Sequence, residues 1–178
     1  MAGTDDDTSL SDRVRRLEDL EAIRNRWYDY IFALDSADWP ALADVFTEDA
    51  TLEMAGLDAV QPGADRSYHG RQSIIDEFYK PVIEANCDPG RGLYYTGHHG
   101  TNMKIDLDGD AATTLAYFIE ILGNSSVLIG TYQHRFVREP DAWRFAFLRI
   151  AIRYGATVQV SDLSGLSLQE VRRMVVPS

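Results

Sequence analysis

Residues 111–155 read "AATTLAYFIEILGNSSVLIGTYQHRFVREPDAWRFAFLRIAIRYG". Three runs rich in Tyr, Phe, Ile, Val and Thr, alternating in part, are separated by "GNSS" and "EPDA". Such runs bounded by Gly, Pro, Asn and Asp are the signature of strands joined by tight turns. A fourth run, 93–106, precedes them across the turn signal "DLDGD". The pattern predicts four successive hairpin-linked strands, 93–106, 111–122, 126–138 and 142–155, in one antiparallel sheet.

Upstream the period changes from two to three and four. Val14, Leu17, Leu20, Ile23, Trp27, Tyr30, Ile31 and Leu34 space the apolar face of a helix over 12–34. Ser11 or Asp12 can cap its start. Asp35 and Ser36 read as its end, Asp38 as a new cap and Pro40 as an early position of a short second helix. "ATLEMAG" (50–56) reads as a strand, and the Gly and Pro of 58–70 read as a loop. Residues 71–86 read as a helix interrupted at Pro81, and "SLQEVRRM" (167–174) as a short closing helix. Helices first and a meander after them predict an α+β domain over 11–178, following a disordered tail over 1–10. A curved sheet closed over by helices leaves a cone-shaped cavity suited to a small molecule.

Composition narrows the functions. The chain has 178 residues, 45% hydrophobic and 25% charged, which fits one soluble globular domain. No apolar run reaches transmembrane length, and the acidic start "MAGTDDDTSLSD" lacks the basic and apolar parts of a secretory signal. The net charge of −11 repels phosphate backbones and anionic lipids, so neither nucleic acid nor membrane is expected as a partner. Cys87 is the only cysteine, which excludes an intrachain disulfide and makes a reducing cytoplasm the simplest location.

Four histidines are present: His69, His98, His99 and His134. His98 and His99 are adjacent on a predicted strand and so point to opposite faces. Convergent metal ligation is unsuited to that geometry, no Cys cluster or His-x-His pair occurs, and no metal or other cofactor is expected. Alternation groups His98 with Gly100, Asn102 and Lys104, and His99 with Thr101, Met103 and Ile105. Bulges invited by Gly97 or Gly100 would exchange the faces, so both histidines stay open as the inward one. Asp35 lies four residues after Ile31, on the helix's inward side, where a carboxylate is costly unless paired. Two readings of it are open. It ends the helix against solvent or a backbone N–H, or it accepts an N–H from a histidine. The second would fix the ring's tautomer and leave its other nitrogen as a general base in the cavity.

"LEAIRNRWYDYIFALDSADWPALADVFTEDATLE", "GHHGTNMKIDLDGDAAT" and "IGTYQHRFVREPDAWRFAFLRIAIRYG" together resemble the SnoaL-like branch of the NTF2-like superfamily, over about residues 12–155. Within it the chain is similar to scytalone dehydratase, bile acid 7α-dehydratase and hexachlorocyclohexane dehydrochlorinase. The resemblance implies an NTF2-like cone and places an essential aspartate at Asp35 ("LDSADW") and an essential histidine at His98 ("HHGTN"). It also implies pocket positions for Tyr30 and, through "IRYG", for Arg153. His99, Asn102 and Tyr132 complete the expected substrate-binding set. The chain departs from the family's lyases at Leu34, where scytalone dehydratase has a tyrosine, and at Tyr30, where the dehydrochlorinase has a lysine.

The expectation is a cofactor-independent lyase of dehydratase type, or an isomerase, in which His98 takes a proton from carbon and Asp35 supports the imidazolium. Trp27, Tyr30, Phe118, Tyr132 and Phe147 are candidates to line a site for a small hydrophobic substrate, cyclic or polycyclic. Two alternatives stand beside it: a non-catalytic small-molecule-binding or assembly domain, and water addition of the epoxide-hydrolase kind. The aromatic content of the sheet, with the resemblance, implies a homo-oligomer, trimer or dimer.

Overall fold

The computed structural model describes residues 9–58, 62–86, 97–122 and 126–157. Helix α1 spans Leu10–Asp35. Its cap is Ser9 rather than Ser11 or Asp12: the Ser9 hydroxyl accepts the Asp12 N–H at 3.2 Å and donates to the Asp12 carboxylate at 2.7 Å. This reciprocal pair three residues apart satisfies an orphan donor and starts the helix before the first strongly periodic residue. The buried stripe runs through Ile23, Trp27, Tyr30, Ile31 and Leu34, whereas Val14 and Leu17, in the same period, are exposed. Helix α2, Trp39–Asp44, starts as expected, with the Asp38 carboxylate accepting the Ala41 N–H at 3.1 Å and Pro40 in the first turn.

Strand β1 is Phe46–Ala55, and β2, Arg66–His69, lies within the stretch expected to be all loop. Only four residues long and flanked by turn-formers, β2 carries too little alternation to stand out; pairing with Thr51–Met54 of β1 defines it. Residues 71–86 are helical as expected, but the break precedes Pro81. They divide into α3 (Arg71–Ser73), a π-helical segment (Ile74–Tyr79) and α4 (Lys80–Asn86). Proline has no N–H for the carbonyl four residues back, and here the helix widens before it, Lys80 N–H reaching the Ile75 carbonyl.

Strands β3 (His98–Asp108), β4 (Ala111–Leu122), β5 (Ser126–Arg138) and β6 (Trp143–Thr157) form the predicted antiparallel meander. The complete sheet is mixed rather than antiparallel, with order β2-β1-β6-β5-β4-β3 and β1 parallel to β6. Alternation marks which residues share a face but carries no information on strand direction across the 87 residues between Ala55 and Trp143.

On β4 the even residues from Ala112 to Glu120 face inward and the odd ones outward. Under α1 and the π segment, Tyr30, Phe46, Phe118, Tyr132, Phe136, Phe145 and Leu148 form the core, in which Tyr30 meets Phe46, Tyr132 and Phe145 edge-on and Phe118 stacks on Tyr132. Of the expected tail over 1–10, residues 1–8 lie outside the described residues, as does the closing helix at 167–174, while Ser9 and Leu10 form the cap and first residue of α1.

Candidate active site

A cavity of about 420 Å³ opens between the sheet and the helical stretch 71–86. That volume is ordinary for a small-molecule site. Its wall is largely apolar: Leu34, Met54, Phe78, Ile83, Leu128, Ile150 and Ile152 contribute. Polar groups converge at one end, where His98, Glu120, Tyr30, Tyr79 and Tyr132 line it, while Arg66 and Glu77 also border it and are exposed.

His98 begins β3, opposite the C-terminal end of α1. The Asp35 carboxylate grips it twice. Oδ1 lies 2.8 Å from His98 Nδ1, and Oδ2 accepts the His98 backbone N–H at 3.1 Å. Gly97 makes this approach possible. Its φ is +98°, and a Cβ there would lie 2.8 Å from Asp35 Oδ2. Only glycine meets both conditions without strain.

The second ring nitrogen does not point freely into the cavity, contrary to expectation. Nε2 lies 3.0 Å from Oε1 of Glu120, its register partner on β4. The His98 side chain is 4% exposed, between two carboxylates. Burial pulls its pKa down, but the hydrogen bonds to Asp35 and Glu120 outweigh burial and push it up to about 9. The ring is therefore an imidazolium at neutral pH, donating on both sides.

Tyr30 closes the polar end from α1. Its hydroxyl lies 2.9 Å from that of Tyr79 and is also hydrogen-bonded by Tyr132. Burial, stronger than these hydrogen bonds, holds the phenol above its usual range, so it stays a neutral donor. The Tyr132 ring stacks on Phe118 with centroids 4.5 Å apart and stands 6.5 Å from the imidazole.

The structure thus brings together Asp35, His98, Tyr30 and Tyr132, with Asp35 behind the imidazole and outside the cavity wall. It does not bring in His99, Asn102 or Arg153, all exposed and absent from that wall. His99 falls in an outward row with Ile119, Ile129 and Tyr154. Arg153 is the extra residue where the β5–β6 register shifts, between the pairs Ile129–Tyr154 and Gly130–Ile152. Asn102 has φ +55° and sits where the β3–β4 register shifts between Thr101 and Lys104. This bulge reconciles the two open registers: His98 and Gly100 face inward before it, and Met103, Ile105 and Leu107 pack on the core after it. Of the other lining candidates, Trp27 and Phe118 belong to the core, and Phe147 lies beneath the Arg135 guanidinium.

Glu120 is the cavity-lining carboxylate that alternation left unmarked. In "TLAYFIEIL" the apolar residues Leu115, Tyr117 and Ile119 share one face, while Phe118, the expected lining residue, shares the other with Glu120. The structure exposes the first face and buries Ala112, Thr114, Ala116, Phe118 and Glu120. The usable signal was the shared parity of Glu120 and Phe118. The remaining buried histidine, His134, lies outside the cavity wall; Thr114 Oγ1 is 2.6 Å from its Nδ1, and burial pulls its pKa down to about 3. Among the described residues no three His, Cys, Asp or Glu side chains cluster as metal ligands, and no helix is long and apolar enough to cross a membrane.

Fold and site together define an α+β cone with an apolar cavity and a buried carboxylate–imidazole–carboxylate row at its end. The SnoaL-like domain family model matches residues 15–149, and the chain belongs to that family, within the NTF2-like fold. Among solved structures it is similar to an NTF2-like protein with a cystatin-like fold from Novosphingobium aromaticivorans, with 22% identity, 84% of this chain and 92% of the other covered, and a TM-score of 0.61. It is likewise similar to a scytalone dehydratase-like protein from the same organism (23% identity, 83% and 93% covered, TM-score 0.62). A third is the hexachlorocyclohexane dehydrochlorinase LinA-type3 from Novosphingobium barchaimii (17% identity, 88% and 97% covered, TM-score 0.62). No curated protein matches the chain by sequence.

Proposed function

We propose that this protein is a cofactor-independent enzyme that moves a proton at carbon, as a lyase of dehydratase type or an isomerase, on a small apolar cyclic substrate. One observation carries the reading: a buried histidine, hydrogen-bonded to a carboxylate on each side, at the end of an apolar cavity of about 420 Å³. Charged groups are expensive in such a place, and their concentration there is characteristic of sites that tune proton transfer. The apolar wall selects the substrate class. The hydroxyls of Tyr30, Tyr79 and Tyr132 stand at the cavity wall, where they can donate to a carbonyl or a departing hydroxyl. The names of the dehydratase-like and dehydrochlorinase structures of like fold agree with elimination chemistry.

The test needs no natural substrate. Nitrobenzisoxazole is a flat apolar probe that opens to a coloured phenolate when a base removes its ring C–H proton. The protein is expected to accelerate this opening. Asp35→Asn, which loosens the grip on His98, should slow it at least ~10-fold, part of the ~10²–10⁴-fold that a positioned acid–base group supplies. Affinity for nitroindazole, a similarly shaped ring without the cleavable N–O bond, should stay within about twofold. No acceleration, or equal rates in the two proteins, would leave a binding domain in place of an enzyme.

A further inference from the structure

We infer that Glu120, rather than His98, is the group that accepts the substrate proton, and that Asp35 and His98 are its positioning residues. The inference rests on the proton-transfer reading above and names the residue that performs it.

The geometry leaves the imidazole no acceptor. Nδ1 faces Asp35 Oδ1 at 2.8 Å and Nε2 faces Glu120 Oε1 at 3.0 Å. An ionised carboxylate only accepts hydrogen bonds, so two of them against one ring require an N–H on each nitrogen. The raised pKa of the ring agrees with that requirement. A doubly protonated imidazole has no lone pair with which to take a proton. Of the two carboxylates, Glu120 lines the cavity and Asp35 does not. The base that meets the substrate is then the carboxylate on β4.

The groups around the imidazole give each a part. Asp35 on α1 offsets its charge from behind, Glu120 on β4 meets it in front, and Tyr132 on β5 and Tyr30 on α1 bring hydroxyls. In the reaction a Glu120 oxygen binds the substrate proton as the C–H bond breaks. The freed electron pair forms the new double bond and expels a leaving group β to it, or passes to a neighbouring carbonyl oxygen. Glu120 then returns the proton to the departing hydroxyl as water, or to another carbon in an isomerisation. No electrons enter or leave, and His98 keeps both protons throughout. Before transfer the imidazole Nε2–H points at Glu120 Oε1 from 3.0 Å and fixes the carboxylate's position at the cavity wall. After transfer the ring remains paired with Asp35, while the negative charge has moved to the substrate.

The experiment is the nitrobenzisoxazole reaction followed against pH for the wild type, Glu120→Gln, Glu120→Asp and His98→Gln, with ¹⁵N-histidine NMR of the ring. The inference expects a wild-type rate that follows a carboxylate titration and is level across neutral pH, with both ring nitrogens protonated. Glu120→Gln should lose about 100-fold or more in rate. Glu120→Asp keeps the charge and fold but draws the oxygen back by one methylene, so an intermediate rate supports the inference even should the glutamine variant misfold. A wild-type rate that climbs toward the imidazole pKa, persists in Glu120→Gln and vanishes in His98→Gln would overturn it, making His98 the base and leaving the proton-transfer function intact. Absence of any wild-type acceleration would instead remove that function and this assignment together.

Discussion

At the scale of single residues, Gly97 decides how tightly the carboxylate holds the ring. An added methyl there meets Asp35 Oδ2 at 2.8 Å, and φ of +98° is unfavourable for any other residue. Gly97→Ala is expected to cost about 1–3 kcal/mol, read as a lower urea midpoint. Because the methyl pushes on Asp35, the NMR titration of His98 should also shift below about 9, the value held up in part by that carboxylate. A variant with wild-type midpoint and titration would show that the grip does not depend on this glycine. Asp35 was legible in the sequence as a carboxylate on the apolar side of a helix, and the histidine pair stood out between its glycines, but only the family resemblance pointed to His98 over His99. Glu120 was not legible, because its partnership is across strands. Alternation sorts a strand into two faces, but in "TLAYFIEIL" both faces carry large apolar residues, and alternation alone does not say which is the inner one.

At the scale of elements, the β3 bulge determines which side chains reach the core. Two-residue alternation from His98 would carry Asn102 and Lys104 inward, but Asn102 adopts φ +55° and the strand resumes one step out of phase. Asparagine visits this region at low cost, whereas a β-branched residue does not. Asn102→Val is therefore expected to destabilise the protein by about 1–2 kcal/mol or more, and Asn102→Gly to be neutral or mildly stabilising, as seen in paired urea titrations. Equal stability of the valine and glycine variants would refute a role for the backbone conformation. The sequence pointed to Gly97 and Gly100 as the places for a bulge, yet Gly100 serves a different need. A Cβ at Gly100 would overlap the Trp27 ring, so that glycine lets α1 pack onto β3. The meander itself was legible because its strands are local hairpins with strong turn signals. The parallel β1–β6 pairing and the four-residue β2 were not, since both are set by distant partners.

At the scale of the whole molecule, two buried histidines with opposite shifts shape the stability profile. His98 has a folded pKa near 9 against an ordinary value of 6.5, so between these values the folded chain holds a proton that the unfolded chain has released. Its contribution is fully present below about pH 6.5 and is lost as pH rises through 9, a loss of about 3 kcal/mol for a shift of this size. His134 acts in the other direction. Its folded pKa is near 3, so below 6.5 the unfolded chain takes up a proton that the fold excludes, and stability falls as pH drops toward 3. The two limbs meet near pH 6.5, where urea unfolding free energy should be greatest. The alkaline limb belongs to the site: His98→Gln should flatten it while leaving the acid limb, because His134 lies outside the cavity wall and keeps its Thr114 partner. Stability that holds level or rises between about pH 7 and pH 9 in the wild type would mean the ring is neutral in the fold. In that event one of the two carboxylates beside it would have to carry the proton instead, and the charge distribution on which Glu120 acts as the acceptor would not exist.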